Sequence, residues 1–119
     1  MMKLKVLPPT LRKNSRYLAL DIKSSSPITK DELVSMIWDA CIRFQGECMT
    51  SNFNLWVMKF YEIDKTEEYI HYKSIVRCQR GFSENVRSSL ALTYRYNGKA
   101  VSITTIGLSG TISASQRFI

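Results

Sequence analysis

The sequence predicts an α+β domain with the element order β-α-β-β-α-β: a four-stranded antiparallel sheet with two helices packed on one face. Three observations predict it. Four segments are strand-like in pattern, the first by strict alternation and the others by aromatic or β-branched content. Two segments instead repeat their apolar residues every three or four positions. Turn and capping residues fall at the joints between them.

The first strand spans 16–23, with Leu18, Leu20 and Ile22 on one face and Tyr17, Ala19, Asp21 and Lys23 on the other. Ser24-Ser25-Ser26-Pro27 ends it. Thr29 and Glu32 make a Thr-x-x-Glu capping box ahead of a helix over 30–45. Its apolar stripe is Leu33, Met36, Ile37, Ala40, Cys41 and Phe44, and Gly46 stops it. The second strand, 53–63, is apolar on both faces. Strict alternation puts Phe53, Leu55, Val57, Tyr61 and Ile63 on one side and Trp56, Met58 and Phe60 on the other. Such a strand is either central and covered twice, or half of an interface. A charged turn over 64–68 leads to a strand at 69–79 that carries His71, Lys73, Ile75 and Arg77 on one face. A second helix is predicted over 83–95, with Val86, Leu90 and Tyr94 inward and Arg87 and Arg95 outside. Asn97-Gly98 turns the chain into a β-branched strand over 100–108. This is the ferredoxin-like split arrangement shared with RNA-recognition domains. Its helices leave one sheet face open to bases, cations or a partner protein.

The organisation is then a basic extended arm at 1–14 containing Pro8-Pro9, one domain at 15–109 and a short tail at 110–119. At 119 residues the chain is long enough for one core. No apolar run spans a bilayer and no secretory leader is visible, so a cytoplasmic protein with no membrane contact is expected. Cys41, Cys48 and Cys78 are odd in number and lack a Cys-x-x-Cys pair. They are expected to be reduced thiols rather than a disulfide framework or zinc ligands.

Charge is unevenly placed. The net is +7. Residues 1–20 hold Lys3, Lys5, Arg12, Lys13 and Arg16 and no acid. Residues 21–70 carry nine acids against five bases, and residues 71–119 carry seven bases against Glu84 alone. Two cationic ends around an acidic middle predict a polyanion-binding surface, because Lys and Arg displace counterions from phosphate. The candidates are Lys5, Arg12, Lys13 and Arg16 in and beside the arm, and a cluster of Arg77, Arg80 and Arg87. That cluster spans a strand end, a loop and a helix start, where backbone N–H groups can join guanidinium groups on a phosphate. Trp56, Met58 and Phe60 are the candidate surface for a protein partner or self-association, with plain core packing as the competing reading for Trp56.

Catalysis by the protein itself is not predicted. His71 is the only histidine and reads as a surface side chain on a strand. Asp31, Glu32, Asp39 and Glu47 have the spacing of a solvated helix face rather than a metal site. Arg80-Gly81-Phe82 is similar to the start of the RNP1 motif, but Ser83-Glu84-Asn85-Val86 continues it as a helix start, so stacking by that device is not predicted.

Several motifs resemble one family in collinear order. They are Leu7-Pro8-Pro9-Thr10-Leu11-Arg12 with Arg16-Tyr17, then Ile37-Trp38-Asp39-Ala40, Ile75-Val76-Arg77-Cys78-Gln79-Arg80, and Gly107-Leu108-Ser109-Gly110-Thr111-Ile112. Ser51-Asn52-Phe53-Asn54-Leu55-Trp56 is similar to the family's entry to the second strand. The family is the archaeal ribonuclease P protein component 2 subunits, related to a subunit of eukaryotic RNase P and RNase MRP. The resemblance implies a subunit that binds and stabilises the catalytic RNA of RNase P and assembles with the TIM-barrel-like RNase P protein, possible assembly states including a homodimer within a heterotetramer. Precursor tRNA, which loses its 5′ leader, would be met indirectly. The chemistry would belong to the RNA and its Mg²⁺ ions, with no cofactor bound by the protein. One departure from the family is the tail. Ser113-Ala114-Ser115-Gln116 stands where a basic run is expected and Arg117 is its only cation, which shifts RNA contact to the arm and the arginine cluster.

Two alternatives belong to other classes. An acylphosphatase-like enzyme needs an Arg in the loop after the first strand, and Lys23-Ser24-Ser25-Ser26-Pro27 has none. A protein adaptor with incidental basicity would show RNA affinity indifferent to any Lys or Arg change.

Overall fold

The computed structural model describes residues 15–119. Strand β1 (Ser15–Ser24) leads to helix α1 (Lys30–Gln45) and a single-turn helix α2 (Glu47–Thr50). Strands β2 (Trp56–Lys65) and β3 (Ile70–Gln79) follow, then helix α3 (Ser83–Ala91). The chain continues through β4 (Arg95–Tyr96), β5 (Lys99–Ser109), the short helix α4 (Ile112–Ser115) and a 3-10 turn at Gln116–Phe118. The sheet is antiparallel throughout, in the order β2-β3-β1-β5-β4. The predicted α+β architecture therefore holds, with a fifth strand added.

Helix α1 begins with the predicted capping box. Thr29 Oγ1 accepts from the Glu32 N–H at 3.1 Å, and Glu32 Oε1 accepts from the Thr29 N–H at 3.2 Å. Lys99 Nζ reaches Glu32 Oε2 at 2.6 Å and Pro27 O at 3.0 Å, which ties β5 to the start of α1. The Lys99 hydrogen bond holds the Glu32 carboxyl below its usual range.

The core lies between the helices and one sheet face. Leu18, Leu20 and Ile22 of β1, Tyr72 and Val76 of β3, and Val101 and Ile103 of β5 meet Leu33, Met36 and Ile37 of α1 and Val86 and Leu90 of α3. Tyr72 keeps its hydroxyl in this layer by accepting from the Ile28 N–H at 3.1 Å. Gln45 links the two long helices, donating to Ser89 Oγ at 3.1 Å and accepting from Asn85 Nδ2 at 3.1 Å.

Three local expectations are corrected. The second helix stops at Ala91 rather than 95, and Tyr94 is 77% exposed rather than inward. The cause is the Asn97-Gly98 turn, with φ of 49° and 78°. Two left-handed residues make the hairpin turn whose twist matches paired strands, so Arg95 and Tyr96 are drawn into β4 against Ala100 and Lys99. Phe53 and Leu55 precede β2 instead of opening it. They are buried from a loop in which Asn54 has φ 55°, and Phe53 O accepts from the Gln79 N–H at 2.7 Å.

The third correction concerns the faces of β2. Its pairing with β3 slips between Val57 and Lys59 and again between Glu62 and Asp64. Each bulge adds a residue and reverses the alternation. Val57 and Phe60 therefore both pack toward the core, with Phe60 stacked on Tyr72 at 5.0 Å between centroids. Ser74 Oγ donates to the Lys59 carbonyl at 2.6 Å beside the first bulge. Trp56, Met58 and Phe60 consequently do not form one surface: Trp56 is exposed, Met58 is the extra bulge residue and Phe60 belongs to the core side.

All three cysteines are free. Burial pushes the Cys41 thiol up to about 12 and the Cys78 thiol up to about 11. Cys48, on α2, is exposed. At about pH 8 a disulfide-exchange reagent is expected to modify Cys48 alone in the native protein, and all three thiols once the chain is unfolded. Rapid native modification of Cys41 or Cys78 would contradict the packing.

Candidate functional site

The face of the sheet away from α1 and α3 is built from alternate residues of β1 and β3. Register places Tyr17 beside Arg77, Ala19 beside Ile75, Asp21 beside Lys73 and Lys23 beside His71. Across the other side of β3, Trp56 pairs with Arg77, Lys59 with Ile75 and Tyr61 with Lys73. Four cations thus share this face: Lys23, Lys59, Lys73 and Arg77. Two acids share it: Asp21, which is engaged by His71 Nε2, and Asp64 of β2, which stands opposite His71.

This face is partly covered. Gly107 lies beside Ala19, and the ring of Phe118 occupies the space where a Gly107 side chain would stand. Lys73 Nζ donates to Phe118 O at 3.2 Å. Residues 110–119 therefore fold back over the middle of the face, and Ala19 and Ile75 are fully buried. Thr111 Oγ1 caps α4 by accepting from the Ala114 N–H at 3.1 Å. A Gly107→Ala substitution must expel the Phe118 ring. It is expected to cost about 1–3 kcal/mol and to speed amide exchange over residues 112–119. Unchanged exchange there would show that the segment is not seated on Gly107.

The sequence-predicted RNA-binding residues are dispersed. Lys5, Arg12 and Lys13 lie outside the described residues. Arg16 is half-buried and points to the helix side of β1, opposite Cys78, with Nη1 donating to Ser15 O at 3.0 Å. Arg77 stands on the open face with its guanidinium carbon 5.8 Å from the Trp56 ring centroid. Arg80 is exposed in the turn after β3, beside Gly81 with φ 94°. Arg87 is on α3, in the helix layer, and pairs with Glu84, which holds that carboxyl below its usual range. Arg77 and Arg87 are thus on opposite sides of the sheet. The α3 N-terminus has no side-chain cap, as Phe82 precedes it. Lys23 and Lys59 stand apart from the predicted cations in sequence, Lys59 among acids like an ordinary surface charge, and join Arg77 only through the strand register.

A second feature is an apolar groove of about 350 Å³ between α1 and β2, walled by Val34, Ile37, Trp38, Leu55 and Val57 with Trp56 at its rim. Among the described residues no group of three or more His, Cys, Asp or Glu side chains is placed to hold a metal ion. No helix there is long and apolar enough to cross a membrane.

Comparison with known proteins adds to this geometry. The chain is 66% identical over 118 residues to ribonuclease P protein component 2 of Methanobrevibacter smithii, a match covering 99% of this chain and 98% of that protein. It is 44% identical to the component 2 protein of Methanothermobacter thermautotrophicus, covering 98% of this chain and 94% of that one. The Pyrococcus abyssi component 2 protein is 45% identical over 98% of this chain and 92% of its own length. The model of the Rpp14/Pop5 family matches residues 16–119, nearly all of the sheet and helices described above, and the chain belongs to that family.

Proposed function

We propose that the chain is the component 2 protein subunit of ribonuclease P, binding and stabilising the catalytic RNA for removal of 5′ leaders from precursor tRNA. The observation that carries this reading is the full-length similarity to component 2 proteins, joined to a sheet face on which Lys23, Lys59, Lys73 and Arg77 gather. Such a face neutralises phosphate and leaves chemistry to its partner. RNA contact falls to this face, to Arg80 in the adjoining turn and to the arm cations Lys5, Arg12 and Lys13. The chain brings no cofactor of its own, Mg²⁺ entering with the RNA.

The protein partner in this reading is the TIM-barrel-like RNase P protein, in the cytoplasm. The apolar groove between α1 and β2 is the surface that suits it, because its lining is aliphatic and aromatic with Lys30 as the one charged residue. Size-exclusion chromatography with light scattering on mixtures of the chain, that protein and RNase P RNA tests the assembly. Comigration of all three, sensitive to salt for the RNA and insensitive for the protein pair, is expected. Failure of the chain to join either would overturn the reading.

A further inference from the structure

Trp56 is 59% exposed at the rim of the open face. It is not a stray surface aromatic, because Arg77 of the neighbouring strand lies against its ring at 5.8 Å. The Arg77 Nε is buried and makes no hydrogen bond among the described residues. A guanidinium carries five N–H donors in a planar fork, so one stacked on a ring can still donate from its outer nitrogens. Further along the same two strands, Tyr61 stands opposite Lys73 and is 38% exposed. Lys73 and Arg77 are four residues apart on β3, so Tyr61 and Trp56, which stand opposite them, share one face about 13 Å apart; Lys73 Nζ itself is held by Phe118 O.

The geometry points to Trp56 and Arg77 as a platform for one unpaired nucleobase of RNA, with the exposed ring of Tyr61 receiving a second, non-adjacent base. This rests on the reading that the chain binds RNA and specifies which RNA it takes. A π face is useful only to a base whose own face is free, and a duplex hides those faces. Stacked neighbours stand about 3.4 Å apart, so two sites about 13 Å apart call for splayed bases. RNA is favoured on this face because the cross-strand neighbours of the two aromatics are cations, Arg77 against the Trp56 ring and Lys73 opposite Tyr61, whereas the apolar groove that Trp56 also borders lies between α1 and β2. Asp21, the acid next to Lys73, is already taken by His71. The device differs from RNP1, whose aromatics sit on one continuous strand motif.

The test uses the full chain carrying Trp38→Phe, so that indole emission reports Trp56 alone. The probes are an oligouridylate of about 10 nucleotides and a blunt RNA duplex of the same length. The single strand is expected to quench Trp56 emission and the duplex to leave it unchanged. Trp56→Ala is expected to weaken single-strand binding about tenfold or more, while Trp56→Phe retains most of it. Native-like affinity of Trp56→Ala for the single strand would overturn the platform and leave RNA binding by other residues standing. Loss of the TIM-barrel-like partner by Trp56→Ala, with RNA affinity unchanged, would overturn it in favour of a protein contact. A native chain that binds neither probe nor RNase P RNA at low salt would overturn the RNA-binding reading itself.

Discussion

Replacing Arg77 and Arg80 together by alanine is expected to weaken binding to RNase P RNA and to lower the slope of log affinity against log salt by about 1–2. The two residues lie on the open face and in the turn at its end, and neither is in an ion pair among the described residues. Each phosphate left without its cation should take somewhat less than one unit from the slope. Arg87→Ala is the control. Its guanidinium already pairs with Glu84 in the helix layer, so its removal should change the slope less than either of the others. Salt titrations of binding by the double variant, by its two single replacements and by Arg87→Ala check this. Equal effects from Arg77 and Arg87 would mean that both sides of the sheet meet RNA, and no effect from Arg77 and Arg80 would remove them from the interface.

Phe53→Ala is expected to destabilise the domain by about 3–5 kcal/mol, a large share of the roughly 5–15 kcal/mol that holds a domain of this size. Phe53 is fully buried although it sits in a loop. Its ring meets Phe82 at 5.2 Å and its carbonyl accepts the Gln79 N–H, so it fastens the entry of β2 to the end of β3. Removing the ring leaves a cavity that the rigid sheet and helices cannot close. The same fastening sets the positions of Trp56 and Arg77, so RNA affinity should fall alongside stability. Urea unfolding followed by circular dichroism measures the first effect, expected as a lower midpoint at unchanged slope. A loss below about 1 kcal/mol would mean that the loop repacks around the gap.

The element order, the capping box at Thr29 and Glu32 and the buried stripe of α1 from Leu33 to Cys41 were legible because they depend on local pattern; Phe44, expected on that stripe, is 40% exposed in the last turn of the helix. The sharing of one face by His71, Lys73 and Arg77 was legible for the same reason, since β3 pairs with β1 without a slip. The faces of β2 were not. A bulge is a property of two strands in register, and nothing within residues 56–65 announces that Met58 will be extra. That one residue separates Trp56 from Phe60 and turns an apparent partner patch into an exposed aromatic on one side and a core residue on the other. Arg77, Arg80 and Arg87 looked like one cluster because they are near in sequence, yet a strand-to-helix connection carries Arg87 to the opposite layer. The seating of Phe118 on Gly107 joins residues that only the folded sheet brings together.

The most direct test of the central claim is precursor tRNA cleavage by RNase P RNA at moderate Mg²⁺, compared for RNA alone, RNA with the TIM-barrel-like protein, and RNA with both proteins. Cleavage that rises sharply only when this chain joins its partner, and falls again with Arg77→Ala and Arg80→Ala, is the predicted result. No stimulation by a folded chain with intact RNA would contradict the assignment of a ribonuclease P subunit.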